Sequence, residues 1–211
     1  MSRTPLVYLA LGDSYTIGTG GTGRPRGFPA LIARKLATAS GRPVSVRNMG
    51  VDGYSADDVI RHELPVLDRI APDIVSILIG ANDVVQGHSR DDFQASLAWI
   101  YDALATRLAS PARAIAISVP DWSVAPAAPS FGDVDRIRLV IDGLNAVARA
   151  EAAARGFLWV DLTEVSRSRA SEPGWYTPDG LHPSNAQYAA WAGLIWEAVG
   201  EPWAAAAAAE A

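Results

Sequence analysis

Asp73-Ile74-Val75-Ser76-Ile77-Leu78-Ile79 is nearly all apolar and rich in β-branched residues, and it ends on Gly80. A strand with one wet face alternates apolar and polar side chains. One that is apolar almost throughout suits the centre of a parallel sheet, covered on both faces. Four further β-rich runs, at residues 6–12, 43–49, 112–119 and 157–162, alternate with helical patterns. Alternating strands and helices imply βαβ units with right-handed crossovers. The chain is therefore expected to form a three-layer α/β/α sandwich around a five-stranded parallel sheet, flavodoxin-like in outline.

The helices have readable starts. Ser55 precedes Asp57 and Asp58, and Ser89 precedes Asp91 and Asp92, each an N-cap followed by first-turn carboxylates. Phe93, Leu97, Ile100, Leu104 and Leu108 then recur at helical spacing, as do Val134, Ile137, Ile141 and Leu144. Ser184 with Gln187 reads as a capping box ahead of Tyr188, Trp191, Ile195 and Val199. Residues 1–203 read as one domain. The Ala-rich residues 204–211 read as a frayed helix end or a disordered tail.

Composition narrows the function. The chain has 211 residues, 49% of them hydrophobic and 19% charged, enough to fold around a full core. Its net charge of -5 argues against a nucleic-acid surface, which needs clustered Lys and Arg. With no cysteine, disulfides, thiolate nucleophiles and Cys-based zinc sites are excluded. Arg3 followed by residues 5–11 faintly resembles a signal peptide, but cleavage after it would fall at or beside Gly12-Asp13-Ser14. The run reads instead as a buried first strand, so the chain is expected to be cytoplasmic or an already mature secreted form. No apolar run reaches transmembrane length, so no stable membrane insertion is expected.

The chemistry lies in short strings at the ends of these runs. In open α/β sheets the carboxyl edge of the strands carries the ligand site, and Ser14, Gly53 and Asn82 all fall there. Ser14 follows the first run; a serine hydroxyl becomes a nucleophile only when a base takes its proton. Alone, Gly12-Asp13-Ser14 reads more readily as a helix N-cap serine after a glycine turn. Asp179 and His182 are spaced so that a carboxylate in one turn bonds the imidazole and fixes its tautomer; Pro178-Asp179-Gly180 also reads as a plain turn. Asn82 offers an amide donor to a developing oxyanion, or is a turn asparagine. Gly53 and Gly50 compete to supply a backbone N–H. His62, within a helical pattern, and His88, ahead of a helix cap, read as surface residues.

The combination is more specific than its parts. The blocks Leu11-Gly12-Asp13-Ser14, Asn48 through Gly53, Gly80-Ala81-Asn82-Asp83 and Asp179-Gly180-Leu181-His182-Pro183 occur in the order that resembles the SGNH hydrolase family, the GDSL esterases and lipases. The resemblance extends over residues 6–199. It implies Ser14 as nucleophile, His182 as base and Asp179 as orienting acid. It also implies an oxyanion hole of the Ser14 N–H, the Gly53 N–H and the Asn82 side chain, selecting Gly53 over Gly50. The implied fold is the flavodoxin-like sandwich, and the implied reaction is acyl transfer through an acyl-enzyme. No metal or organic cofactor is implied, and the partner is a small-molecule ester. The family covers acetylated sugars, lipids, thioesters and simple aryl esters, so acetylated carbohydrates and lysolipids are candidate substrates.

Two other classes compete with an esterase. A metal-dependent phosphoesterase would use Asp, Asn and His as ligands, but such sites take several histidines and this chain has three in all. A non-catalytic binding domain would use the same fold without the chemistry. Within the esterase reading, Trp122 and Phe131 in the long loop of residues 120–132, with Trp175 and Tyr176 before Asp179, are candidates for an apolar acyl site or for loop anchoring. Residues 18–27, rich in glycine and carrying Arg24 and Arg26, read as a flap or a flexible loop. The lack of a lid-sized insertion points to short or medium acyl chains.

Overall fold

A computed structural model describes residues 4–23 and 26–209. Its five strands are β1 (Leu6–Gly12), β2 (Val44–Asn48), β3 (Ile74–Leu78), β4 (Ala114–Ile117) and β5 (Leu158–Val160). They form one parallel sheet in the order β2-β1-β3-β4-β5. This is the expected flavodoxin-like arrangement. The helices are α1 (Ser14–Ile17), α2 (Gly27–Ser40), α3 (Ala56–Asp58), α4 (Leu67–Ile70), α5 (Ala81–Gln86), α6 (Arg90–Ala105), α7 (Val134–Ala154), α8 (Thr163–Ser168) and α9 (Asn185–Ala209).

The sheet is buried on both faces because successive strand residues point to opposite sides. Leu6, Tyr8 and Ala10 of β1, Ile74 and Leu78 of β3, and Ile115 and Ile117 of β4 meet Phe28, Ile32 and Leu36 of α2 and Trp191 and Ile195 of α9. Leu9, Leu11, Val75, Ile77, Ala114 and Ala116 face the other way, against Phe93, Leu97, Ile100 and Leu104 of α6 and Leu144 and Ala148 of α7. One polar residue interrupts β3: the fully buried Ser76 forms a 2.8 Å hydrogen bond with the Tyr8 hydroxyl across the strand pair.

Helix starts follow local chemistry. Ser89 Oγ accepts from the Asp92 N–H at the head of α6, and Asp133 accepts from the Arg136 N–H at the head of α7. Ser55 and Asp58 make a reciprocal capping box. The helix that follows does not run on regularly. After α3 it widens to a π turn over Val59–Glu63 and tightens to a 3-10 turn over Leu64–Val66, where Pro65 has no N–H to donate, before α4.

Two sequence expectations are corrected. Gln187 is not the partner of a capping box. It is buried, and its amide, turned to match its neighbours, donates to the Trp175 carbonyl at 3.0 Å and accepts from the Trp175 indole at 3.3 Å. The segment from Ala204 is not frayed: α9 continues through Pro202 to Ala209. Trp203 and Ala207 are fully buried, the Trp203 indole donates to the Ala112 carbonyl, and Arg42 donates to the Ala207 carbonyl. Apolar packing of Trp203 against Tyr8 decides the matter where alanine propensity alone did not.

Candidate active site

The strand order reverses at β1: the chain passes from β1 to β2 on one side and returns to β3 on the other. Such a switch point opens a crevice at the carboxyl ends of the strands. Ser14 lies there because β1 ends on Gly12, whose φ of +143° and close approach to β3 exclude a side chain. A Cβ at that position would stand 2.0 Å from the Leu78 carbonyl oxygen. Asp13 caps α1, accepting from the Tyr15 N–H at 2.9 Å, and Ser14 opens the helix with its amide at the positive end.

Asp179 and His182 come from a loop closed on itself ahead of α9. Tyr176 and Pro183 form a bridge across its neck, and the Thr177 N–H donates to the His182 carbonyl at 2.9 Å. Inside this frame Asp179 Oδ1 accepts from the N–H groups of Leu181 (2.9 Å) and His182 (3.0 Å) and from the Thr177 hydroxyl (2.8 Å). Its Oδ2 lies 2.6 Å from His182 Nδ1. Partial burial pushes the Asp179 carboxyl up. The Leu181 amide, the His182 ring and amide, and the Thr177 hydroxyl outweigh it and hold the group well below the usual carboxylate range. An ionised Asp179 accepts only, so Nδ1 carries the proton and Nε2 is the nitrogen left for other work. Tyr15 lies edge-on to the His182 ring, with centroids 6.4 Å apart.

Ser14, His182, Gly53 and Asn82 line one cavity of about 270 Å³. Among the described residues no direct hydrogen bond joins Ser14 to His182; they share its wall. The Asn82 amide donates to the Tyr54 carbonyl at 3.0 Å, which fixes its plane and leaves a second N–H. The two competing glycines separate cleanly. Gly50 is buried, and a Cβ there would come within 2.7 Å of both the Asp13 oxygen and the Ile17 nitrogen, so it packs β2's exit against α1. Gly53 lines the cavity, is exposed, and has φ of +85° with nothing near its missing side chain.

Trp122 and Phe131 also line the cavity, in edge contact at 5.6 Å. Trp175 and Tyr176 are not among its walls. Trp175 is buried beneath the Arg169 guanidinium, 4.1 Å from its ring centre, and Tyr176 closes the Asp179 loop. Tyr15, Asp52, Ala81, Val85 and Leu181 complete the lining; none was singled out from sequence. Each adjoins a quoted motif residue or, for Val85, lies one helical turn on from Ala81, and that adjacency was the available signal. The loop of residues 120–132 is braced from below. Its buried Asp121 pairs with Arg167 at 2.7 Å, and its Ala127 N–H donates to the Gly180 carbonyl beside Asp179.

His62 is exposed beside the Tyr54 ring. His88, expected at the surface, is instead half-buried, its Nδ1 3.0 Å from the buried carboxylate of Asp83. In the glycine-rich segment, Thr22 is tied to Asn185 at the head of α9 by two hydrogen bonds; Arg24 lies outside the described residues, and Arg26 is exposed at the start of α2.

The sequence model of the GDSL-like lipase/acylhydrolase family matches residues 10–190. The chain belongs to that family. It is a GDSL-type hydrolase of the esterase and lipase kind. No curated protein matches its sequence. Among solved structures, the GDSL hydrolase resembles TesA with a TM-score of 0.73 at 23% identity, over 93% of this chain and 99% of the other. It resembles the acetylxylan esterase Axe2 from Geobacillus stearothermophilus with a TM-score of 0.73 at 23% identity, covering 94% and 95%. It also resembles LAE5, an alpha/beta hydrolase enzyme from the metagenome of Lake Arreo, Spain, with a TM-score of 0.74 at 21% identity, covering 95% and 97%. At these identities the likeness is one of fold. Among the described residues no helix is long and apolar enough to cross a membrane, and no three His, Asp or Glu side chains gather as metal ligands.

The donors give a graded expectation. The family resemblance implies an oxyanion donor at Asn82, and on that expectation Asn82→Ala, which leaves Ser14, His182 and Asp179 in place, lowers kcat by roughly 10²- to 10³-fold with KM little changed. Steady-state kinetics check this; an unchanged kcat would remove Asn82 from the oxyanion hole.

Proposed function

We propose that this chain is a serine-dependent carboxylic ester hydrolase acting on short acyl esters. The observation that carries the reading is the single cavity whose wall holds Ser14, His182, Gly53 and Asn82, with His182 anchored by Asp179. Ser14 Oγ attacks the ester carbonyl carbon, and His182 Nε2 takes the hydroxyl proton. The carbonyl oxygen, now an oxyanion, accepts from the Ser14 N–H, the Gly53 N–H and the Asn82 amide. The carbon–oxygen bond to the alcohol breaks as His182 returns the proton to the leaving oxygen. Water, deprotonated by the same nitrogen, then attacks the acyl carbon; the bond to Ser14 Oγ breaks, the acid leaves, and His182 returns the proton to Oγ.

Size supports the short acyl preference. Pockets for drug-sized ligands run from about 300 to 1,000 Å³, and this cavity, at about 270 Å³, lies just below that range. Its apolar part is Ala81, Val85, Trp122, Phe131 and Leu181, and its acidic side chain is Asp52. Acetylated carbohydrates carry an acyl group small enough for this cavity, and one structural neighbour is an acetylxylan esterase.

The test is hydrolysis of p-nitrophenyl esters from acetate to palmitate, with and without EDTA. The expected outcome is chelator-resistant turnover, highest on the shortest chains and falling steeply before palmitate. Turnover that peaks at long chains would overturn the short-acyl assignment, and turnover abolished by EDTA would point to a metal-dependent phosphoesterase-like centre.

A further inference from the structure

Two carboxyl groups with no part in this reaction are sealed behind the nucleophile. Asp13 is fully buried and Glu63 is 1% exposed. Glu63 closes the π turn over Val59–Glu63 with its side chain buried; π turns are frequent at functional sites. Its Oε2 accepts from the Gly12 N–H at 2.9 Å, two residues before Ser14. Its Oε1 is buried without a partner among the described residues, and so is Asp13 Oδ2. A buried oxygen carrying ionic charge and no donor is costly, whereas protonation removes the charge.

We propose that Glu63 is a positioning residue that works as a neutral carboxylic acid, holding the Gly12 amide of the nucleophile turn while adding no negative charge beneath the oxyanion site. The electrostatics agree with this geometry. Burial pushes the Glu63 carboxyl up to about 9, and Asp13 and Asp58 push it the same way against the Gly12 amide. Burial likewise pushes Asp13 to about 7, helped by Asp83 and Asp52. The groups facing the pair are Asp58 of α3, Asp52 of the loop after β2, Asp83 of α5 with its partner His88 and, toward Asp13, the phenols of Tyr15 in α1 and Tyr188 in α9. The exposed Arg61 and His62 share the π turn, and Arg61 is paired with Asp57. An ionised Glu63 would sit under Ser14 and repel the oxyanion.

The role rests on the serine-esterase reading for its kinetic effect, but not for its structural one. The experiment compares wild type, Glu63→Gln and Glu63→Leu. Hydrogen exchange of the Gly12 amide, followed by NMR, reads the positioning without any substrate. Protection is expected to persist in Glu63→Gln, whose amide oxygen accepts the same bond, and to fall in a folded Glu63→Leu. On an ester that wild type turns over, Glu63→Leu is expected to lose roughly 10- to 100-fold in kcat with KM little changed. Glu63→Gln is expected to keep kcat within about threefold and to lose the decline that wild type shows as pH rises through the Glu63 value. Unchanged Gly12 protection in Glu63→Leu, or the same alkaline decline in Glu63→Gln, overturns the proposal. If wild type turns over no ester, the esterase reading fails and the exchange data still decide whether Glu63 holds the turn. Should Glu63→Leu not fold, Glu63→Gln alone decides, through retained Gly12 protection and through its stability. For a carboxyl raised in the folded state, stability is greatest below the ordinary value of 4.5 and is lost as pH rises through about 9. The part of that loss between about 7 and about 9, above the range in which Asp13 also titrates, is expected in wild type and absent in Glu63→Gln.

Discussion

Ser14→Ala is expected to lower kcat on any ester the wild type hydrolyses by roughly 10⁴- to 10⁶-fold, the scale of a lost nucleophile that acts as one unit with its base. The fold is expected to survive. Ser14 is buried at the head of α1, but the helix is capped by Asp13, and Asp13 keeps its bond to the Tyr15 amide in the variant. Removing one hydroxyl from the cavity wall leaves the packing of β1 and α1 intact. Three measurements separate a chemical loss from a structural one: steady-state kinetics, circular dichroism, and labelling by a fluorophosphonate. The variant should be folded, unlabelled and inactive, and wild type labelled at Ser14. A folded Ser14→Ala that retains more than about a hundredth of wild-type kcat would sink the serine mechanism.

How far the chain announces itself can be argued from single elements. The sheet was legible because its strands carry continuous apolar runs between helical stripes, and both signals come from burial, which is what the hydrophobic pattern records. All five strands fall inside the predicted runs. The π turn at Val59–Glu63 was not legible as such. The sequence shows only a glutamate at an apolar position of an ordinary helical stripe, spaced three, four and four along Ala56, Val59, Glu63 and Leu67. A lone charge on a buried stripe is ambiguous between an error of phase and a buried acid, and only the Gly12 amide that it meets from β1 resolves it. The tail failed for a related reason: an alanine run carries no period, so the docking of Trp203 and Ala207 rests on tertiary partners distant in sequence.

The candidate site was legible for another reason. Two of the motif strings are held by short-range chemistry that sequence spacing encodes, a cap at Asp13 and a self-closed loop from Trp175 to Ser184, whereas the Asn82 amide is held by the Tyr54 carbonyl 28 residues away. The cavity walls were only half legible. Trp122 and Trp175 are equally large and both lie in loops, but Trp122 faces the cavity while Trp175 lies under Arg169 against Gln187. Direction out of a loop depends on which partner reaches it first, and no periodicity carries that.

Asp179→Asn is the sharper test of the triad, because it changes one atom and keeps the frame. In wild type, Oδ1 accepts three hydrogen bonds from within the loop, and Oδ2 lies 2.6 Å from His182 Nδ1. Asparagine can keep its oxygen on the loop donors, which leaves its NH₂ facing Nδ1. That nitrogen must then accept, so the imidazole proton moves to Nε2, and the nitrogen that should receive the Ser14 proton is already occupied. The expected loss is about 10⁴-fold in kcat with KM nearly unchanged. The stability effect has a definite sign. A carboxyl whose folded value is depressed adds stability above its ordinary value of 3.8 and loses it as pH falls below that point. Wild type should therefore lose stability relative to Asp179→Asn on acidification, while the two converge in strong acid; because Asp179 is half exposed, the difference should be small. Kinetics at neutral pH and thermal melts across the acid range measure the two effects separately. Full activity in Asp179→Asn would show that His182 takes its orientation from elsewhere, with Tyr15 at its ring edge the first group to examine.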